Sequence, residues 1–334
     1  MKQLSKIDTK KESSDNILSP FKHLLKCSSM VVLGFILMLN SCDRDEVFEK
    51  EQYKNVLALI SGSDNVKTVY HSLGVETVGY MAASLGGSNL TKKDIIVNIV
   101  EDPLLIDNYN RINYDIDKTK YIPPMPKSNY DIDNYQFTIP AGKTGGKLPI
   151  RIRADGLSAD YDYFIPLRIE SFSAYEANLT KNYILYRVRI KNWWANRGGT
   201  TYNMNAKMGE VGQQYEIALP GSKRLDPLTK NQIRMMVGNV SYRASDMINF
   251  NKWAMILTIN DDKTVTISPF KDLIVTQINE EDELYNNTFF IEDTGYQFFK
   301  VFRLRYNYID GDREYEIREE LRLEFVPSED DPFK

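Results

Sequence analysis

The side chains able to do covalent or metal chemistry are few: two cysteines, Cys27 and Cys42, and two histidines, His23 and His71. A chain cut just before Cys42 keeps one of each, so no disulfide framework can form within it and a Cys/His zinc site lacks ligands. A Ser-His-Asp or Cys-His arrangement could use only His71, which follows an apolar run as a satisfied or exposed histidine would. Carboxylates are plentiful, but Asp261-Asp262, Glu280-Glu281-Asp282-Glu283 and Glu319-Glu320 lack the alternating oxygen ligands and glycine turn of a calcium loop. Asp310-Gly311-Asp312 is too short for one. These runs read as solvated loops, and no catalytic residue, metal or cofactor is expected.

Aromatic side chains offer a different chemistry. A flat ring with polar groups beside it suits the apolar face of a sugar. The candidates are Trp193, Trp194, Trp253, Tyr202, Tyr215, Tyr242 and Tyr296. Neighbours on a strand face opposite ways, so one of Trp193 and Trp194 could pack inside while the other is exposed. The plainer reading has both cementing a domain junction, Trp253 in the core and the tyrosines half-buried at strand ends.

These rings need a scaffold, and the composition says which. The 21 Tyr and 15 Phe favour a pleated, half-buried surface. A length of 334 residues suits two domains, and a net charge of −4 with no basic patch argues against nucleic acid. Short apolar runs separated by turn residues cross residues 51–191, with a proline-rich passage at Tyr121-Ile122-Pro123-Pro124-Met125-Pro126 that no helix or central strand accommodates. Seven to eight such strands predict an immunoglobulin-like β-sandwich. Residues 192–334 predict a C-terminal antiparallel β domain, a sandwich or barrel-like meander. Asn260-Asp261-Asp262-Lys263 and Asp310-Gly311-Asp312 are its hairpin turns. Leu228 to Met236 is the one helical candidate in this all-β chain.

The N-terminus carries an address. Residues 1–29 are polar and lysine-rich, and Met30 to Leu39 form an apolar run too short for the roughly 20 residues of a spanning helix. Leu39-Asn40-Ser41-Cys42 follows and resembles the lipobox of bacterial lipoproteins. That resemblance implies a signal peptide over 1–41, a lipid on Cys42 and a tether over 42–50. The acidic residues Asp43, Asp45 and Glu46 are similar to the surface-export signal of Bacteroidota lipoproteins.

Two further resemblances cover the rest. Ala82-Ala83-Ser84-Leu85-Gly86-Gly87, Asp94-Ile95-Ile96-Val97-Asn98-Ile99, Leu105 with Tyr109-Asn110, Thr138-Ile139-Pro140-Ala141-Gly142 and Tyr163 to Ile169 resemble the N-terminal module of Bacteroidota glycan-utilisation lipoproteins. Ile122-Pro123-Pro124 departs from that module's usual Leu-Pro before a tyrosine. Asp226 to Arg234 and Trp253 to Ile259 resemble the domain of unknown function that often follows it. The resemblance implies a surface glycan-binding protein of a starch-utilisation-like system. Its partners would be a glycan, the outer membrane through the lipid, and a TonB-dependent transporter with its lipoprotein partner. It supplies no binding motif residue by residue. A fimbrillin-like adhesive or structural subunit is the alternative, and a glycoside hydrolase, which needs paired carboxylates, is a third reading.

Overall fold

The computed structural model describes residues 55–87, 89–174, 176–241, 247–280, 282–328 and 331. The proposed signal peptide, Cys42 and its tether, and Tyr242, lie outside the described residues.

The chain is all-β, as its composition predicts. Its first ten strands make two five-stranded sheets. One has the order β5 (Tyr130–Asp131), β7 (Gly145–Arg153), β3 (Glu76–Gly86), β1 (Val56–Leu59), β9 (Glu176–Ala177). The other runs β2 (Val66–Ser72), β10 (Tyr183–Lys191), β8 (Tyr163–Phe172), β4 (Ile95–Glu101), β6 (Gln136–Ile139). Period-two burial along β3 and β7 turns alternate residues inward. Leu57, Met81 and Ile150 thus meet Ile99, Ile165 and Tyr186 in a single core between the sheets. Each such aliphatic, fully buried, contributes roughly 1.5–3 kcal/mol.

β4 ends where Pro103 removes a donor, and the same proline opens α1 (Leu104–Tyr114), with Asp102 Oδ1 accepting from Leu104 N at 3.2 Å. This helix is not anticipated from the sequence. Its buried Asn110 donates to Ile122 O and accepts from Ile122 N, both at 2.9 Å, fixing the proline-rich passage.

The remaining strands form a nine-stranded sheet. Its path is β15 (Val265–Pro269), β14 (Ala254–Ile259), β13 (Gln232–Met236), β12 (Ile217–Thr229), β11 (Thr200–Glu210), β19 (Arg313–Phe325), β18 (Phe298–Asp310), β16 (Val275–Gln277). β17 (Thr288–Asp293) also pairs with β18. The sheet curls into a nearly closed barrel. A bridge between Thr264 and Thr288, and Ile267 N donating to Gln277 Oε1 at 2.7 Å, draw its ends together. The two expected hairpin turns are present, closing β14 on β15 and β18 on β19.

Leu228 to Met236 is not helical: it is the end of β12, a turn and β13. Lys, Gln and Met favour helices only weakly, and burial of Ile233 to Met236 between two strands overrides that preference. A short helix, α2 (Met247–Trp253), lies instead before β14, and Trp253 closes it.

His71 on β2 is a core residue, 1% exposed. Its Nδ1 faces Thr77 Oγ1 at 2.7 Å and its Nε2 faces Tyr186 Oη at 3.0 Å. Gly79 makes the room, since a Cβ there would stand 1.7 Å from Tyr186 Oη. Burial, with the nearby Lys191 charge acting the same way, pushes the imidazole down to about 4. The unfolded chain therefore takes this proton first as pH falls below about 6.5. Stability is full above that value and is lost progressively down to about 4. Between pH 7 and pH 5 the loss comes to roughly 2 kcal/mol. Urea denaturation followed by far-UV circular dichroism should show it in the parent and not in His71→Gln. An equal loss in both would assign it elsewhere.

Candidate functional site

β10 ends at Lys191, and the chain must turn before β11 begins at Thr200. Asn192 makes that turn. Its Oδ1 accepts from Trp194 N (3.1 Å) and Ala195 N (2.9 Å), and its Nδ2 donates to Thr229 O (2.8 Å) and Gln232 O (2.9 Å). The first pair is an Asx turn, the local bond that draws Asn into loops. The second pins the turn to the β12–β13 connection. Gly199, at φ 84°, completes it where a Cβ would strike Arg224.

Trp193 and Trp194 therefore sit on a bend, and strand alternation does not govern them. Their rings meet edge to face, centroids 5.6 Å apart. Trp194 is buried, and Tyr202 Oη donates to its carbonyl at 3.0 Å. Tyr202 has no exposed surface, so it is a core residue and not a platform. Trp193 is half-buried, packs against Phe289 and Phe325 at 5.6 and 5.5 Å, and donates from Nε1 to Asp331 Oδ1 at 2.8 Å. Lys300 Nζ lies 3.7 Å from its centroid and donates to its carbonyl.

Asn192, Trp193, Trp194, Lys300, Phe325 and Asp331 line a cleft of about 950 Å³. Ser72 and Lys191 end strands of the N-terminal sheets and Leu73 follows β2, while the hairpin turns of the C-terminal sheet bring Lys230, Asn231 and Asp261. The last three are exposed. The volume falls within the roughly 300–1,000 Å³ of small-molecule clefts. Donors and acceptors beside an aromatic cluster can hydrogen-bond a polyol and cover its apolar face. Burial pulls Lys300 down to about 8, with Asp331 opposing. Burial pushes Asp331 up, but hydrogen bonds from Trp193 and Ser328 hold it below the usual carboxylate range.

Of the other aromatics singled out by sequence, Trp253 packs edge-on against Tyr308 at 6.3 Å, with Lys252 Nζ 4.2 Å from its ring centre. Tyr215 is exposed between β11 and β12, and Tyr296 is 96% exposed at the β17–β18 turn. None of these three lines the cleft. Asn192, Asn231, Lys300 and Asp331 are not among the sequence candidates, and Asp261, which the sequence places in a solvated hairpin turn and not in a calcium loop, also lines the cleft. For Lys300 a signal existed: a lysine inside the apolar run Phe298 to Phe302. Among the described residues no group of three His, Cys, Asp or Glu side chains could hold a metal.

One family model, described as an N-terminal domain, matches residues 48–176, and another, described as C-terminal, matches residues 182–322. No curated protein matches the chain. A solved protein of unknown function from Bacteroides ovatus is 17% identical with a TM-score of 0.61, over 82% of this chain and 98% of the other. A second from that species is 16% identical with a TM-score of 0.58, over 86% and 97%. An auxiliary nutrient binding protein from Bacteroides thetaiotaomicron is 17% identical with a TM-score of 0.52, over 79% and 92%. At such identities the likeness is one of fold.

Proposed function

We propose that this chain is a non-catalytic glycan-binding lipoprotein of a polysaccharide-utilisation system. In this reading Cys42 carries the lipid, the two β domains meet near residue 191, and the body faces outward from the outer membrane. The carrying observation is the cleft in which Lys230, Asn231 and Asp261 accompany Trp193. The fold shared with a nutrient binding protein supports it.

Isothermal titration of the full chain with a panel of oligosaccharides tests the reading. A hydrogen bond is worth about 0.5–1.5 kcal/mol, and one to a charged group about 1.5–3. Asn231→Ala combined with Asp261→Ala should therefore weaken binding of a recognised glycan by roughly 10- to 100-fold. Full affinity in that double variant would move the site elsewhere. Release of reducing ends from any glycan would instead revive the hydrolase reading.

An adhesive subunit completed by a partner's strand would need an open sheet edge. β12 has one: β13 pairs only with Asp226–Thr229, and Ile217–Ser222 pairs on one side with β11. Pro220 stands in that edge without an N–H to give, a feature that blunts strand addition. The glycan reading is preferred for that reason.

A further inference from the structure

One wall of the cleft holds a positive charge that its surroundings do little to neutralise. Lys300 on β18 is 7% exposed, yet no carboxylate of the described residues stands within the 4.0 Å of an ion pair. Its ammonium has three donors. One goes to Trp193 O, while the rings of Trp193 and Phe325 lie 3.7 and 5.0 Å from the nitrogen. An apolar side chain of similar length would fill the same space without the cost of desolvating an ammonium. The charge therefore calls for a use.

Beside it lies a second donor aimed at an anion. Trp193 Nε1 gives its hydrogen to Asp331 Oδ1 at 2.8 Å, and Ser328 holds the same carboxylate through its N (2.8 Å) and Oγ (3.1 Å). Asp331 feels the Lys300 charge from beyond ion-pair distance. The chain's own carboxylate thus stands beside an indole donor and near a buried ammonium, in the cleft assigned to glycan.

We infer that Lys300 and the Trp193 indole form an anion seat, attended by Asp331 in the free protein, that takes the carboxylate or sulfate ester of an acidic saccharide. This deepens the glycan reading and depends on it. The incoming anion takes the indole hydrogen bond from Asp331 and supplies the ion pair that Lys300 lacks. Neutral saccharides use the Trp193 face with Lys230, Asn231 and Asp261 and leave the indole N–H to Asp331.

Titration of the full chain with oligogalacturonate, its methyl ester and a sulfated galactan oligomer separates the cases. The parent should bind one acidic ligand at least tenfold more tightly than the neutral ester, and which acid wins tells carboxylate from sulfate. Lys300→Met should abolish that preference, bringing the ratio of acidic to neutral affinity to within twofold of one. Asp331→Ala should tighten acidic binding severalfold by removing the competitor. Equal affinity for ester and acid in the parent, or an undiminished preference in Lys300→Met, overturns the anion seat and leaves the glycan reading standing. Failure of every saccharide, neutral and acidic, to bind overturns both.

Discussion

Glu319→Ala should cost roughly 3–5 kcal/mol of stability, the penalty for stripping one partner from a buried ion pair. Glu319 has no exposed surface and lies 3.1 Å from Lys223 Nζ, itself 4% exposed. The pair is embedded in a network. Tyr306 Oη donates to Glu319 Oε1 at 2.9 Å and accepts from Gly238 N at 3.1 Å, while Lys223 donates to the carbonyls of Met236 (3.0 Å) and Gly238. Burial and the adjacent carboxylate keep the Tyr306 phenol protonated far above its ordinary range. The network joins β12, β18 and β19 to the segment after β13, across the interior of the curled sheet. Truncating Glu319 leaves an ammonium and a phenol facing apolar walls. Lys223→Met combined with Glu319→Gln removes both charges and keeps an acceptor for Tyr306, so it should recover at least half the loss. All three tryptophans lie in this half of the chain, which makes urea denaturation followed by their fluorescence the direct measurement. A Glu319→Ala chain within 1 kcal/mol of the parent would mean the pair contributes no more than an exposed one.

The second large effect lies at Arg234→Met, where a loss of roughly 3 kcal/mol is expected. Arg234 on β13 is 1% exposed; its Nη2 reaches Asp160 Oδ1 at 2.6 Å and Asp226 Oδ2 at 3.1 Å. Asp160 belongs to the connection between β7 and β8, so this guanidinium ties the C-terminal sheet to the N-terminal pair. Asp162 strengthens the joint, taking Arg189 at 2.8 Å and Arg197 at 3.5 Å. The Arg234 guanidinium also lies over Phe250 and Phe270, at 4.2 and 4.9 Å from their centroids. Methionine keeps apolar packing against the aromatics and deletes the charge with its hydrogen bonds to Asp160 and Asp226. A full loss in Arg234→Met assigns the joint to the ion pairs, and an unchanged midpoint assigns it to the two rings. The same joint positions Leu73 and Lys191 against Lys230 in the cleft, so the variant should also weaken any glycan bound there.

What the sequence determined by itself was whatever depends on local pattern. Alternating apolar residues in Phe298–Ile309 and the Asp-Gly and Asn-Asp turns set strands, hairpins and the all-β class, because a strand's two faces and a turn's backbone angles are written within a few residues. Leu228 to Met236 and the two helices escaped that logic, since weak propensities yield to whatever neighbours a strand or helix finds. The candidate site was legible only in outline. Trp193 and Trp194 marked the place, but whether a ring faces solvent is decided by Asn192, Phe289 and Phe325, which lie one to 132 positions away from Trp193. Tertiary structure alone brought Lys300 and Asp331 to the same indole, and a charge acquires its meaning from burial, which no run of neighbouring residues records.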